Sequence, residues 1–187
     1  MSVTCDGHMA VRWFGILIMS KMALEPPFLR EQNQRLKIPL DLTEWVKPAQ
    51  LREWIVSNVA TLEWTNAELI ELLKVHTEFE PRALLNTMTF AYAVGIFGAE
   101  EMARSCSTDP DFRNIRPELP PLVSDLKEFR KQNRGIVKWA LANVITRALK
   151  SQFIEGPAIE VLPVGLRHHV VDNAIERLEH ARRIDSP

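Results

Sequence analysis

Lys127, Arg130, Lys131 and Arg134 stand at i, i+3, i+4 and i+7. On an α-helix that spacing gathers four cations on one face. Such a face can lie against phosphates or enter a major groove. Arg113 and Arg116 precede the stripe and Lys138 follows it. Between Asp111 and Phe153 there are nine basic and four acidic side chains, a local charge of +5 in a chain whose net charge is −1. The remainder is therefore acidic, and no global field draws the protein to nucleic acid or membrane. The same stripe is also open to a plainer reading, a solvated face that keeps the protein in solution. Leu126 and Phe129 would anchor it to a core.

Other residues that could do chemistry are less concentrated. His168, Asp172 and Glu176 share a helical face at i, i+4 and i+8, and imidazole with carboxylates can hold a metal. Three such groups on one exposed helix lack a fourth ligand and read as solvated. His169, Glu176 and His180 read the same way. Glu100 and Glu101 are adjacent, so they do not converge on one substrate. The sequence has no phosphate loop, nucleophile elbow or Ser/His/Asp pattern. Cys5 and Cys106 have neither zinc nor redox spacing. The expectation is no catalytic residue, no metal and no cofactor, with two plain thiols in a reducing cytoplasm.

The elements that must position the basic stripe are helical. Pro48 suits a first turn, with Leu51, Ile55 and Val59 recurring behind it. Thr65-x-x-Glu68 is a capping box ahead of Leu69, Ile70, Leu72 and Leu73, a helix expected to end near His76. Pro81 opens another, with Leu84, Leu85, Met88, Tyr92 and Ile96 inward and Gly98 as its stop. Ala99–Cys106 makes about two turns with Met102, Ala103 and Cys106 inward. After the Asp109-Pro110 turn, Phe112 is expected in the core and Arg113 outward, open to a phosphate or to a surface carboxylate. Ser124 or Asp125 caps the basic helix through Arg134, and Gly135 breaks or bends it. A long helix then runs to Phe153 and stops at Gly156-Pro157. The last, near 164–185, presents Val171, Ala174, Ile175 and Leu178 on one side.

At the other end, Arg12–Met19 is an apolar run too short to span a bilayer. Met9, Met19 and Met22 are alternative starts, and the Pro-interrupted stretch up to Trp45 reads as an extended arm. Strand alternation is confined to a short segment at Ile159–Leu162. The five tryptophans read as core and groove fillers. The expected class is all-α: residues 1–45 an irregular arm, 46–153 a compact multi-helix domain with a helix-turn-helix-like core, and 154–187 a linker and an amphipathic helix.

The stretch "PRALLNTMTFAYAVGIFGAEEMARSCSTDPDFRNI" followed by "SDLKEFRKQN" resembles the N-terminal helical domain of bacterial insertion-sequence transposases. The matching positions are Pro81, Leu84, Leu85, Tyr92 and Gly95, then Asp111, Phe112 and Arg113, then Ser124, Phe129 and Arg130. The resemblance covers about Trp45 to Phe153. It implies DNA binding through Arg113, Arg116, Lys127, Arg130, Lys131, Arg134 and Lys138. In that family a ribonuclease-H-like domain follows, with its first catalytic aspartate soon after the long helix. Here that place reads "IEGPAIEVLPVGLRHHVV", without the aspartate. The expectation is thus a transposase-like DNA-binding domain with no DNA transposition chemistry of its own, not an enzyme. The competing expectation is an interaction module that pairs with itself or with a full-length transposase. Neither involves a membrane.

Overall fold

A computed structural model of the chain describes residues 37–62, 79–153 and 164–186. The capping box at Thr65–Glu68, the Ile159–Leu162 segment, Trp13, Trp64 and the arm before Lys37 lie outside the described residues.

Proline sets the first turn of three helices, where its missing N–H leaves no bond unmade. These are α1 (Pro48–Ala60), α2 (Pro81–Ala93) and the single turn α4 (Pro110–Arg113). Between α2 and α4 lies α3 (Ala99–Thr108). The basic helix α5 is Val123–Gln132, the long helix α6 is Arg134–Phe153, and α7 is Val164–Asp185. A 3₁₀ turn at Leu42–Glu44 precedes them, capped by Asp41, whose Oδ1 accepts from the Thr43 N–H at 2.8 Å. The described residues are all-α, and their one β-type pairing is an isolated bridge between Asp41 and Val94.

The core is built around α2 and α6. Every residue of α2 from Leu84 to Ala93 is buried, as expected of a helix covered on more than one side. Helix α6 packs against α1, α2, α5 and α7 through residues that include Val137, Leu141, Val144 and Ile145. Phe112 on α4 is fully buried and meets Phe90 edge-on, ring centres 5.0 Å apart. Asp111 on the same turn pairs with Arg52 of α1. Deleting a buried phenylalanine of this kind costs about 3–5 kcal/mol.

Several expected boundaries move. Helix α2 ends at Ala93, not at Gly98. The left-handed residue is Gly95, at φ +82°, and the Ile96 N–H donates back to the Ala91 carbonyl at 2.8 Å, the six-to-one bond of a Schellman turn. Ile96 is consequently half-exposed, and Phe97 takes the buried place. Gly98 has ordinary extended dihedrals and precedes α3. On α7 the buried stripe is Leu166, Val170, Ala174, Arg177, Leu178 and Ala181, so Val171 is exposed and Ile175 half-exposed. The stripe turned because Arg177 points inward. Ile38–Trp45 belongs with the helical body rather than with an arm, and so does α7, which packs on α6.

Candidate nucleic-acid interface

The basic stripe does not lie on one helix. Helix α5 stops at Asn133, whose backbone N–H and side-chain amide both donate to the Phe129 carbonyl, at 2.9 and 3.0 Å. Asn133 leaves the helical region at φ −113° and ψ 24°, and α6 begins at Arg134. The break precedes Gly135, which has open space around it. At the other end the N-cap is Leu122, not Ser124 or Asp125. Asp125 Oδ2 instead reaches back to accept from the Leu122 N–H at 3.0 Å. Asp125 also places negative charge in the first turn, where the helix dipole favours it.

Despite the break, tertiary packing brings the four cations together. A shallow concavity of about 370 Å³ is lined by Lys127, Arg130 and Lys131 of α5, Arg134 of α6, and Leu178, Arg182 and Asp185 of α7. Lys127 and Lys131 are exposed and make no ion pair among the described residues. Arg134 and Arg182 share Glu179 at the edge, Arg182 Nε at 2.9 Å from its carboxylate. Those two hydrogen bonds, Arg182 first and then Arg134, hold the Glu179 pKa below the ordinary carboxylate range. The pair is at the surface, where such contacts contribute little to stability. Among the described residues, five cations thus face two carboxylates.

Arg130 is different in kind. Its side chain is only 12% exposed and pairs with Asp185, itself 8% exposed. It also donates to the Tyr92 hydroxyl at 3.3 Å. Asp185 accepts in addition from the Ala99 N–H at 3.1 Å, so one carboxylate caps α3 and neutralises α5. Burial disfavours the Arg130 charge, but Tyr92 and Asp185 outweigh it and its pKa is raised. Arg130 therefore braces the fold through Asp185, not through the nearer-in-sequence Asp125 or Glu128.

The other expected contacts lie elsewhere. Arg116 turns its Nη1 to the carbonyls of Pro117 and Glu118, at 2.9 and 2.8 Å, and lines a separate hollow beside Phe79 and Ala83. Arg113 is exposed on α4 and Lys138 half-exposed on α6, and neither lines the concavity. Sequence reasoning missed Arg182, Glu179 and Asp185. The clue was the density of charge in "ERLEHARRID", the final turns of α7.

His168, Asp172 and Glu176 are exposed, and the described residues contain no cluster of three or more potential ligands placed to hold a metal. His180 packs edge-on against Phe97, ring centres 4.8 Å apart. No described helix is long and apolar enough to cross a membrane. No protein-family model, curated protein or solved structure matches the chain.

Proposed function

We propose that the protein is a DNA-binding domain that grips the phosphate backbone with Lys127, Lys131, Arg134 and Arg182. The observation that carries this reading is the convergence of cations from α5, α6 and α7 on one open concavity, with two lysines that make no ion pair among the described residues. Arg130 positions α5 and is not a contact. Its charge is cancelled by Asp185, so the free excess rests on the surrounding four, less the share of Glu179. Binding by such a surface is electrostatic and reads no bases by itself. The transposase-like pattern around Tyr92, Asp111–Arg113 and Phe129–Arg130 agrees with this role, and the reading assigns binding alone, without strand chemistry.

A gel-shift or fluorescence-anisotropy titration of duplex DNA at several salt concentrations tests it. Each neutralised phosphate contributes about −0.9 to the slope of log K against log salt. Saturable binding with a steep slope is expected. Absence of binding at low salt would leave self-association, measured by sedimentation, as the better account of the fold.

A further inference from the structure

Glu179 joins the two arginines at the edge of the concavity. One carboxylate oxygen accepts from Arg134 Nη2 of α6, and the other accepts from Arg182 Nε of α7 at 2.9 Å. All three side chains reach solvent: Arg182 is 63% exposed, Arg134 50% and Glu179 34%. Among the described residues each arginine makes that one side-chain hydrogen bond and no other. Most of its five N–H donors are therefore unused. Asp185 is the contrast. Its carboxylate is buried and serves both Arg130 and the Ala99 N–H, so the fold depends on it. The Glu179 carboxylate serves the rim cations alone among the described residues, and exposed pairs of this kind add little to stability.

The chemistry of this bridge matches that of a nucleic-acid backbone. A phosphodiester carries one negative charge shared by two free oxygens, as a carboxylate does. Two guanidinium groups that each take one oxygen of Glu179 can each take one oxygen of a phosphodiester. Lys127 and Lys131 of α5 line the same concavity and make no ion pair among the described residues. With Arg130 neutralised by Asp185, the remaining cations divide into two open lysines and two occupied arginines. A carboxylate fixed on α7 competes at the high effective concentration of a tethered group. A dissolved monoanion does not match that. A phosphate whose neighbours along the strand rest on the lysines is tethered too, and does.

Resting on the DNA-binding reading, we infer that Glu179 is a built-in competitor of the DNA backbone: its carboxylate occupies Arg134 and Arg182 in the free protein, and a phosphate must displace it before all four cations engage. The lysines hold the strand first, and the arginines join once Glu179 is displaced. Affinity is thereby kept below what the same four cations would give unopposed.

Fluorescence anisotropy of a labelled duplex at one low salt concentration tests this. The parent is compared with Glu179→Gln, with Arg134→Ala/Arg182→Ala, and with the protein carrying all three changes. Glutamine keeps the size of the side chain and removes its charge, and at this exposed position the melting temperature should not change. Glu179→Gln should bind DNA about three- to ten-fold more tightly, the release of two exposed ion pairs. In the Arg134→Ala/Arg182→Ala background the same change should gain about two-fold or less, because no arginine is left to free. An equal gain with and without the arginines means that Glu179 repels DNA only as a surface charge, and overturns the inference. Equal binding by the parent and Glu179→Gln also overturns it, with the DNA-binding reading left standing. No binding by either protein at low salt removes the DNA-binding reading itself, and the inference with it.

Discussion

Tyr92 is held at both ends by arginines: its carbonyl accepts from Arg177 Nη1 at 2.7 Å, and its hydroxyl accepts from Arg130 Nη1 at 3.3 Å. The first contact satisfies a carbonyl in the last turn of α2. The same Arg177 nitrogen donates to the Leu40 carbonyl at 2.7 Å, Nη2 reaches the Pro39 carbonyl, and Nε donates to Asn173 Oδ1 at 2.9 Å. Arg177 has no solvent exposure, and its anchors are neutral oxygens. Burial pushes its pKa down to about 10, with Asp41 pulling the other way.

Arg177→Met should destabilise the protein by about 3 kcal/mol or more, because three carbonyls lose their donor in a buried site. Arg177→Lys should rescue little, since an ammonium cannot span acceptors that a planar fork reaches together. Urea denaturation followed by circular dichroism measures both. A loss of under 1 kcal/mol in the Met variant would show that water serves these carbonyls as well as the guanidinium does.

Tyr92 is the sole tyrosine of the chain, which makes its titration directly visible by ultraviolet absorbance. Burial pushes its pKa up to about 12, against the pull of Arg130. In the unfolded chain it ionises near the ordinary tyrosine value of about 10. The folded state therefore holds this proton more tightly. Its stabilising effect is complete below about pH 10 and falls as pH rises toward 12. The alkaline loss should be about 2–3 kcal/mol at full ionisation. Tyr92→Phe should remove that component of the pH dependence. Tyrosinate appearing in the native protein near pH 10 would contradict the buried environment.

Gly95→Ala should cost about 1–2 kcal/mol, because an alanine strains at φ +82°. Gly98→Ala tests a different cause: its Cβ would meet Ile184 Cγ2 at 3.3 Å, and a small shift of that exposed side chain can relieve it. Thermal melts should rank Gly95→Ala as clearly the worse of the two.

For the concavity, Lys127→Ala/Lys131→Ala/Arg182→Ala should flatten the salt slope of DNA binding by about 2–3 while leaving the melting temperature nearly unchanged. Arg130→Ala should do the reverse. It leaves Asp185 buried and unpaired, a loss of about 3–5 kcal/mol. A triple variant with unchanged salt slope would remove the concavity from consideration as the DNA surface.

Much of the helical layout was legible because proline and apolar spacing are local signals. Pro48, Pro81 and Pro110 mark real starts, and Phe112 reads as core from its place after the turn. What misled was punctuation with two candidates. Gly95 and Gly98 both suit a helix end, and only backbone geometry decides between them. The stop at Asn133 was hidden because an asparagine capping its own helix has no simple spacing pattern. The basic stripe was read on one helix for that reason, and packing restored most of the grouping. Arg177 was the residue least readable in advance. An arginine beside Leu178 looks like surface, and its carbonyl acceptors lie 85 to 138 positions away.

Asp185 and Arg177 both sit on α7, yet the groups they satisfy lie on or beside the earlier helices α2, α3 and α5. Arg130 is 55 positions from its carboxylate, and the Ala99 N–H is 86. During synthesis those earlier helices emerge first, with an arginine, a helix start and a helix end still facing water. They can pair along their apolar sides but cannot close dry, because unpaired polar groups resist leaving solvent. Burial of these polar groups is thus completed only when α7 docks, so the last helix among those described is the one that seals them.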